Sequence, residues 1–318
     1  MTKNCANWKT LVNNRQTFYN VRMKIKDIAS QKKLLVSMEV FPPKKQDALD
    51  SVVAAAQELT QLQPDFISIT YGAGGTTKVN TLEISQKILS FGTPALSHLT
   101  CVGNTKQSIL SAIEQMKQNN IENVLALRGD IPQGVTAQDA LSPDLQHASD
   151  LIPLLKDAGF CVGAACYPEG HPESEDRLQD LENMKYKIDA GVDFLTTQMF
   201  FDNNMLYSYL YRLQSAGIRV PVFAGIMPVT NASQVSRMIK LSSAYVPAKL
   251  LAICDRFEKQ PEAMYQAGIA YVTDQIIDLI SNGIQGIHIY TMNKPQVARD
   301  IINNISAIRD AVNTTQEK

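Results

Sequence analysis

The sequence predicts a single-domain α/β protein with a (β/α)8 barrel (TIM barrel), and two features of the chain carry this prediction. From about residue 34 onward, strand-like runs alternate with helix-like stretches, and eight such pairs fit within the 318 residues. Most of the runs are apolar throughout, as are parallel strands that are covered on both faces. An open doubly wound sheet is the alternative fold, but it usually has fewer strands.

Each predicted strand is a short apolar or β-branched run, and amphipathic stretches separate these runs. The strands are predicted at 34–41, 66–72, 95–103, 123–130, 161–169, 194–201, 220–228 and 286–293. Helices are predicted at 47–62, 105–119 and 175–190, among others. No linker, repeat or low-complexity segment interrupts this alternation, so we expect one domain.

The gap before the last predicted strand is longer than the others. It has room for extra helices, which we expect at 231–242, 247–258 and 262–281. Pro247 and Pro261 suit the starts of the last two of these, because proline is tolerated in the first turn of a helix.

The two ends of the chain differ from the barrel in composition. Residues 1–26 contain six Lys/Arg and no acidic residue, which is partly typical of an organelle transit peptide. The stretch is poor in serine, however, and its apolar residues have helical spacing. We therefore predict that residues 1–33 form a helical extension that covers one end of the domain, that 34–312 form the barrel, and that 313–318 are a polar tail.

The overall composition excludes several classes of protein. The chain is 45% hydrophobic and 19% charged with a formal net charge of -1, so it lacks the basic character of a nucleic-acid binder. No apolar run approaches the ~20 residues of a membrane span. The five cysteines form no CxxC pair and are typical of reduced thiols. We expect a cytoplasmic protein without nucleic-acid or membrane partners.

Polar residues cluster at the carboxyl ends of the predicted strands, the face that carries the chemistry in barrels of this kind. Glu39 is the most informative, because an unpaired carboxylate in a buried strand costs several kcal/mol. The other residues at strand ends are Thr70, Tyr71, His98, Arg128, Gly129, Asp130, Tyr167, Glu169, His171, Gln198, Asp202, Asn293 and Lys294. Each alone is compatible with a hydrogen-bonded core position. Seven strand ends with polar residues together favour a shared cavity that Glu39 faces.

Several motifs at these ends do not lead to a known site. "GAGG" (72–75) resembles part of a dinucleotide fingerprint, but Thr77 stands where the third glycine is required. His98 and Cys101 are three apart on a strand and so face opposite sides. The four histidines form no cluster, and we expect no catalytic metal.

Three other features suit an organic cofactor. "LRGD" combines a cation, a glycine and an anion at the end of a strand, and "YPEGHP" offers an aromatic ring and an imidazole on a stiff loop. Asp180, Asn183 and Lys187 are spaced to share one face of a helix. The alternative interpretations, a rigid loop without a ligand and a solvated charged face, remain open at this point.

The motifs together resemble the methylenetetrahydrofolate reductases. "SMEVFPPK", "ISITYGAGGTT", "SHLTCVG", "LALRGDIP", "AACYPEGHPE", "TTQMFFD", "GIMPV" and "HIYTMN" occur in the order and spacing of that family, from about residue 34 to 295. The chain is similar to the compact bacterial form, without a C-terminal regulatory domain. The resemblance implies an FAD-containing barrel that uses NADH or NADPH to reduce 5,10-methylenetetrahydrofolate to 5-methyltetrahydrofolate for methionine synthesis. It also implies a homo-oligomer.

The resemblance assigns roles to individual residues. It implies that Tyr71, Ala73, His98, Arg128, Gly129, Asp130, Tyr167, His171, Asp180, Asn183 and Lys187 bind the flavin. It implies that Thr70, Gln198, Gln234 and Lys294 contact the folate or the nicotinamide, with Asp130 close to both flavin and folate. The chain departs from the family pattern at Lys294, where many members have arginine, and at Met238, where some have a stacking phenylalanine.

Glu39 and Asp130 are the implied catalytic residues. Opening of the methylene bridge needs a proton, and we expect Glu39 to supply it as a carboxylic acid kept protonated by an apolar strand. Asp130 would stabilise the cationic iminium that accepts hydride. Other flavin barrel enzymes of the proline-dehydrogenase type, a cofactor-free methyltetrahydrofolate methyltransferase and a non-catalytic folate- or flavin-binding relative are the alternatives.

Overall fold

Eight parallel strands form a closed barrel in the computed structural model, which describes residues 23–43, 48–71, 75–235, 238 and 244–314, without the side chains of 75–79. Each strand pairs with the next along the chain, and the eighth pairs with the first. The strands are β1 (Leu35–Val40), β2 (Phe66–Ile69), β3 (Ala95–Thr100), β4 (Asn123–Leu127), β5 (Cys161–Cys166), β6 (Phe194–Thr197), β7 (Val222–Ile226) and β8 (Gly286–Tyr290). The predicted (β/α)8 fold is confirmed.

Helices surround the barrel and follow the strands along the chain. They are α1 (Ile25–Gln31), α2 (Leu49–Thr60), α3 (Gly75–Ser90), α4 (Lys106–Gln118), α5 (Ala137–Ala140), α6 (Ala148–Asp157), α7 (Arg177–Asp189), α8 (Asn203–Ser215), α9 (Ala248–Phe257), α10 (Pro261–Ser281) and α11 (Pro295–Thr314). A further helical segment covers 232–235, before residues that are not described. No helix among the described residues is long and apolar enough to cross a membrane.

The predicted strands extend too far at their carboxyl ends. β6, for example, ends at Thr197, whereas the apolar run that predicts it continues to residue 201. The same holds for β4, which ends at Leu127, before Arg128 and Asp130. The cause is that the chain turns out of the hydrogen-bonded ladder before its apolar residues end.

The extra helices before β8 are confirmed where the structure describes them. Pro247 caps α9, and Pro261 occupies the first turn of α10. The last helix continues to Thr314, two residues into the expected tail, because Asn313 hydrogen-bonds both the backbone N–H and the carbonyl of Leu34. Residues 315–318 lie outside the described part of the chain.

The amino-terminal end of the barrel is filled by aromatic and aliphatic side chains. The rings of Phe66, Phe194 and Phe223 pack with centroids 5.2–6.4 Å apart. Gly286 makes room for them, since a Cβ there would lie 2.3 Å from the Phe223 ring. This packed floor leaves space for a cavity only toward the carboxyl ends.

Helix α1 closes the outside of this floor. Ile25 and Ile28 are buried in the same cluster as the phenylalanines. The backbone N–H of Ile25 donates to Asn123 Oδ1 at 2.8 Å, which ties the helix to the start of β4. The end of the predicted N-terminal extension therefore covers the barrel, and residues 1–22 of that extension lie outside the described residues.

Two further hydrophobic clusters hold the layers together. One lies between the strands and the helical ring, and it includes Val36, Ile67 and Ile301. The other joins the loops after β6 and β7 to α9 and α10, through residues such as Phe201 and Leu250. The four described cysteines are buried and free, and burial raises the pKa of the Cys101, Cys161 and Cys166 thiols to about 12, so they are unreactive.

Helix α10 packs unusually closely on the loop after β7. A Cβ at Gly268 would lie 1.9 Å from the carbonyl oxygen of Val229. Gly268→Ala should therefore destabilise the protein by about 2–4 kcal/mol, although alanine is the better helix former by ~1 kcal/mol. Thermal or urea unfolding measures the change.

Ala270→Gly, at an exposed position two residues along the same helix, is the matched control. It should cost only ~1 kcal/mol of helix propensity. A Gly268→Ala protein as stable as the wild type would contradict this account of the contact.

Candidate active site

A cavity of about 1020 Å³ opens at the carboxyl ends of the strands. This volume is at the upper end of the range for small-molecule sites, which is about 300–1,000 Å³. The predicted site residues that line it are Glu39, Thr70, Tyr71, His98, Arg128, Gly129, Asp130, Tyr167, His171, Asp180, Asn183, Lys187 and Gln198. The structure thus brings together residues that are up to 159 positions apart in the chain, since Glu39 and Gln198 share one cavity.

Three predicted residues are not among those that line the cavity. Ala73 lies outside the described residues. Gln234 turns back on its own chain, where Oε1 accepts from the backbone N–H groups of Thr230 and Asn231 at 3.2 and 3.1 Å. Lys294 is exposed and does not line the cavity. Neither Gln234 nor Lys294 contacts a ligand site in this conformation.

Met238, the position of a departure from the family pattern, is also away from the cavity. Its side chain is 5% exposed and belongs to the hydrophobic cluster that includes Leu250. It therefore packs under α9 and does not offer a surface for stacking.

Glu39 lies at the centre of a buried polar cluster. Its Oε2 accepts a hydrogen bond from Ser68 Oγ at 3.1 Å and lies 3.5 Å from His288 Nε2 and 3.6 Å from His98 Nε2. His288 Nδ1 is 2.8 Å from Ser37 Oγ, and the tautomer of the ring sets the direction of that bond. The carboxylate is thus surrounded by groups that hydrogen-bond it or favour its charge.

These surroundings correct the expectation that an apolar strand keeps Glu39 protonated. Burial does raise the pKa of Glu39, but the bond with His288, the nearby His98 and Ser68 outweigh it and leave the pKa below its ordinary value. His98 shows the opposite balance. Burial lowers its pKa to about 4, although the charge of Glu39 acts against that shift. The resting cluster is therefore a carboxylate beside a neutral His98.

The backbone around Glu39 is tied to the loop after β8. Thr291 Oγ1 donates to the carbonyl of Glu39 at 2.6 Å. The amide of Asn293 accepts from the N–H of Phe41 at 3.0 Å and donates to its carbonyl at 2.9 Å. Met292 and Asn293 both have φ of 54°, a left-handed conformation that is rare for methionine and more readily adopted by asparagine. The strained turn that removes Lys294 from the cavity therefore holds the end of β1 in place.

Arg128 forms a bidentate ion pair with Glu173 from the loop after β5. Its Nη2 lies 2.7 Å from Glu173 Oε1, and Nη1 contacts the second carboxylate oxygen. This hydrogen bond with Glu173 raises the pKa of Arg128 and lowers that of Glu173. The guanidinium is thus a fixed cation at the rim of the cavity, close to Asp130 and Tyr167.

Helix α7 and the "YPEGHP" loop build a second wall. Lys187 Nζ donates to the carbonyl of Ala165 at 2.9 Å, and burial lowers its pKa. Asp180 accepts from the backbone N–H of His171 at 3.2 Å. The rings of Tyr167 and His171 meet edge to face, 4.6 Å apart. The charged face predicted for this helix therefore contributes to the cavity and is not a solvated surface.

Gln198 is held at the end of β6 by backbone contacts. Its N–H donates to the carbonyl of Cys166 at 2.7 Å, and its side-chain Oε1 accepts from the N–H of Met199 at 2.9 Å. Tyr290 Oη donates to the carbonyl of Thr197 at 2.7 Å. Gln198 lines the cavity, and its amide NH₂ has no hydrogen-bond partner among the residues that the structure describes.

Sequence reasoning missed several residues of the site. Ser68, His288 and Tyr290 face the barrel interior, and Glu173 pairs with Arg128. The spacing of His288 and Tyr290 in "GIHIYTMN" could have indicated that both face the barrel interior, because positions two apart on a strand face the same side. No local pattern pointed to Glu173, since its partner is 45 residues away.

A closed barrel with a large cavity at its carboxyl ends, lined by cations, carboxylates and aromatic rings, is typical of (β/α)8 enzymes that bind a polar organic ligand. A family model described as methylenetetrahydrofolate reductase matches residues 24–306. The chain therefore belongs to the methylenetetrahydrofolate reductase family, a family of oxidoreductases.

Relatives from bacteria and plants support this assignment. The chain is 32% identical over 282 residues to the 5,10-methylenetetrahydrofolate reductase of Pectobacterium carotovorum, a match that covers 88% of this chain and 93% of the relative. It is 32% identical over 301 residues to methylenetetrahydrofolate reductase (NADH) 1 of Arabidopsis thaliana, covering 91% of this chain and 51% of the relative. The chain thus spans about half the length of the plant relative and nearly all of the bacterial one.

A solved structure shares the fold at low sequence identity. It is a protein from Clostridium thermocellum, described as binding two copies of 5-methyl-5,6,7,8-tetrahydrofolic acid. The TM-score is 0.58 at 12% identity, and the match covers 91% of this chain and 100% of the other. This similarity supports the barrel architecture.

The shifted pKa of His98 predicts a pH dependence of stability. Because the folded-state pKa of about 4 lies below the ordinary 6.5, the native protein binds fewer protons than the unfolded chain between these values. Its contribution is complete above pH 6.5 and is lost as pH falls toward 4. His98→Gln should reduce the acid-induced loss of stability across this window by about 1–3 kcal/mol, as measured by unfolding at a series of pH values.

His147→Gln removes an exposed histidine and is the matched control. This variant controls for the loss of a histidine elsewhere on the protein. If His98→Gln and the wild type lose stability in parallel, the buried His98 is not the group responsible.

Proposed function

We propose that this protein reduces 5,10-methylenetetrahydrofolate to 5-methyltetrahydrofolate, with FAD in the barrel mouth and NADH or NADPH as the source of electrons. One observation carries the proposal. In a chain whose match to the family covers residues 24–306, the residues implied to bind flavin and folate surround a single cavity, with Ala73, Gln234 and Lys294 the exceptions noted above.

The residues of the cavity fit FAD. A dinucleotide needs cations for its diphosphate and hydrogen-bonding groups for its ring edge. Arg128 and Lys187 supply positive charge, and the carbonyl of Ala165 holds Lys187 in place. Tyr71 and Tyr167 also line the cavity, and each offers an aromatic face. When bound, FAD would supply the chemistry of accepting hydride from the nicotinamide and passing it to the folate.

Glu39 is the residue we assign to deliver the proton that opens the methylene bridge. Its side chain is 16% exposed, so a ligand that fills the cavity removes the remaining contact with water. Since burial is the largest influence on its pKa, this step favours the protonated carboxyl. His288 Nε2, at 3.5 Å, is placed to return a proton to Glu39 Oε2 afterwards. The lowered pKa of the resting site is compatible with this cycle.

Asp130 and Gln198 complete the assignment. Asp130 is exposed at the end of β4, where its negative charge faces the mouth and would stabilise a cationic substrate. Gln198 would hydrogen-bond the edge of the pterin or the nicotinamide through its free amide group. The proposal also includes a cytoplasmic location and assembly into a homo-oligomer. Light scattering of the purified chain tests the oligomeric state.

Lys187 provides a test of the flavin site. Lys187→Met keeps much of the apolar stem but removes the charge, and a charge-assisted hydrogen bond is worth about 1.5–3 kcal/mol. We expect FAD affinity to fall roughly tenfold or more, measured by quenching of FAD fluorescence and by the flavin content after gel filtration.

Lys185→Met is the matched control, because Lys185 is exposed on the same helix and does not line the cavity. It should retain FAD as the wild type does. Equal FAD retention in both variants would remove Lys187 from the flavin site.

Glu39→Gln separates the two half-reactions. The variant keeps the shape and hydrogen bonding of the side chain but has no proton to transfer. NADH or NADPH should still reduce the flavin at near wild-type rate. Reduction of methylenetetrahydrofolate should slow by roughly 10²–10⁴-fold, the usual contribution of general acid catalysis. Stopped-flow absorbance of the flavin measures each step separately.

A structural role for Glu39 predicts a different result. In that case Glu39→Gln would lose FAD or stability, and both half-reactions would slow alike. An unchanged folate step would also exclude Glu39 as the proton donor.

A further inference from the structure

Thr196 presents a buried hydroxyl that has no hydrogen-bond partner within the described residues. It lies on β6, its residue is 5% exposed, and it lines the cavity. Its Oγ1 is one of few buried side-chain oxygens or nitrogens without a partner in the part of the chain that the structure describes. A buried polar group without a partner is unfavourable and rare, so its presence needs a physical reason.

The neighbouring threonine shows the usual solution. Thr197 Oγ1 accepts a hydrogen bond from the backbone N–H of Gly225 at 2.8 Å, between β6 and β7. Its hydroxyl is therefore part of the barrel wall. The two residues have the same side chain at adjacent positions and face opposite sides of the strand. Among the described residues, however, only the hydroxyl of Thr197 has a protein partner.

The position of Thr196 faces the ligand space. It lies two residues after Phe194, which belongs to the barrel floor, and two before Gln198, so the three side chains share the inward face of β6. On the adjacent strand it pairs with Ala165, the residue whose carbonyl receives Lys187 Nζ. Thr196 Oγ1 is thus one layer below Gln198 and beside the wall that we assign to the flavin.

We propose that Thr196 Oγ1 is a ligand-binding group that hydrogen-bonds the polar edge of a planar nitrogen heterocycle at the bottom of the cavity. A hydroxyl both donates and accepts, which suits a ring edge where carbonyl oxygens alternate with ring nitrogens. Both the flavin and the pterin of the folate have such an edge. This inference rests on the proposed function, and it adds a contact that neither the motifs nor the family resemblance assigns.

Loss of the Thr196 hydroxyl should raise the stability of the protein without ligand but weaken the binding of the heterocycle. Thr196→Val replaces the hydroxyl by a methyl group of similar size. Without ligand, the variant should be slightly more stable than the wild type, with an increase in Tm of about 2 °C, because an unpaired buried hydroxyl is removed. With ligand, it should bind the heterocycle roughly five- to tenfold more weakly, because the hydrogen bond is lost.

The experiment measures both effects on the full-length chain. Thermal melting across a series from no added FAD to saturating FAD should give curves for Thr196→Val and the wild type that cross, as linkage between binding and stability requires. FAD affinity is measured by fluorescence quenching. Binding of 5-methyltetrahydrofolate to the FAD-loaded protein is measured from the change in flavin absorbance. Weaker FAD binding identifies the flavin edge, and weaker folate binding with unchanged FAD affinity identifies the pterin edge.

Matched variants exclude a purely structural role. Thr196→Ser keeps the hydroxyl and should restore wild-type affinity. Thr197→Val should lower stability at every FAD concentration, because the N–H of Gly225 loses its partner. If valine is not tolerated at this position, Thr196→Ala also removes the hydroxyl and allows the same comparison of stability and affinity with the wild type.

Two results would overturn the proposal. Unchanged affinity for both ligands means that the hydroxyl contacts neither ring, whatever the change in Tm. Lower stability of Thr196→Val without ligand, with both affinities unchanged, means that the hydroxyl is paired inside the protein. A wild-type protein that binds neither FAD nor 5-methyltetrahydrofolate would refute the proposed function and this inference together.

Discussion

The closure of eight parallel strands in a fixed register is the constraint on which the rest of this structure depends. It aligns Ser37 with His288, and it aligns Glu39 with both Ser68 and Tyr290. Because side chains alternate along a strand, the polar residues at these positions all face the axis of the barrel. A slip of one residue would turn them into the hydrophobic layer, where their hydrogen bonds could not form. The aromatic floor below them limits the open space to the carboxyl end.

The electrostatics of the site follow from this convergence. His98 is buried and the side chain of Glu39 is 16% exposed, and the loss of water around them favours the neutral form of each. His98, His288 and Ser68 each lie within 3.6 Å of Glu39 Oε2, however, and they stabilise the carboxylate. The result is one carboxylate placed among a serine hydroxyl and two imidazole rings. Its protonation is therefore sensitive to how much water the cavity contains, and a ligand that excludes water can shift it.

The mouth of the barrel is held by contacts between loops that are distant in sequence. Asn293 joins the loops after β8 and β1, and Arg128 pairs with Glu173 across the loops after β4 and β5. The carboxylate of Glu169 accepts the backbone N–H of Tyr245 at 2.8 Å, which joins the loop after β5 to the segment before α9. These contacts fix the rim around the entrance, and each uses a charged or amide side chain where two backbones approach. They hold the catalytic groups in place, and Arg128 and Glu173 also line the cavity themselves.

The sequence by itself determined the barrel, its eight strands, the extra helices that the structure describes and 13 of the residues that line the cavity. It could do so because strand periodicity and the positions of polar residues at strand ends are local properties of the chain. Only the tertiary structure decided the charge state of Glu39, the pairing of Arg128 with Glu173, the removal of Gln234 and Lys294 from the cavity and the contrast between Thr196 and Thr197. Each of these depends on which groups lie within hydrogen-bond distance after the barrel closes, and a pKa or a hydrogen bond is a property of that three-dimensional neighbourhood.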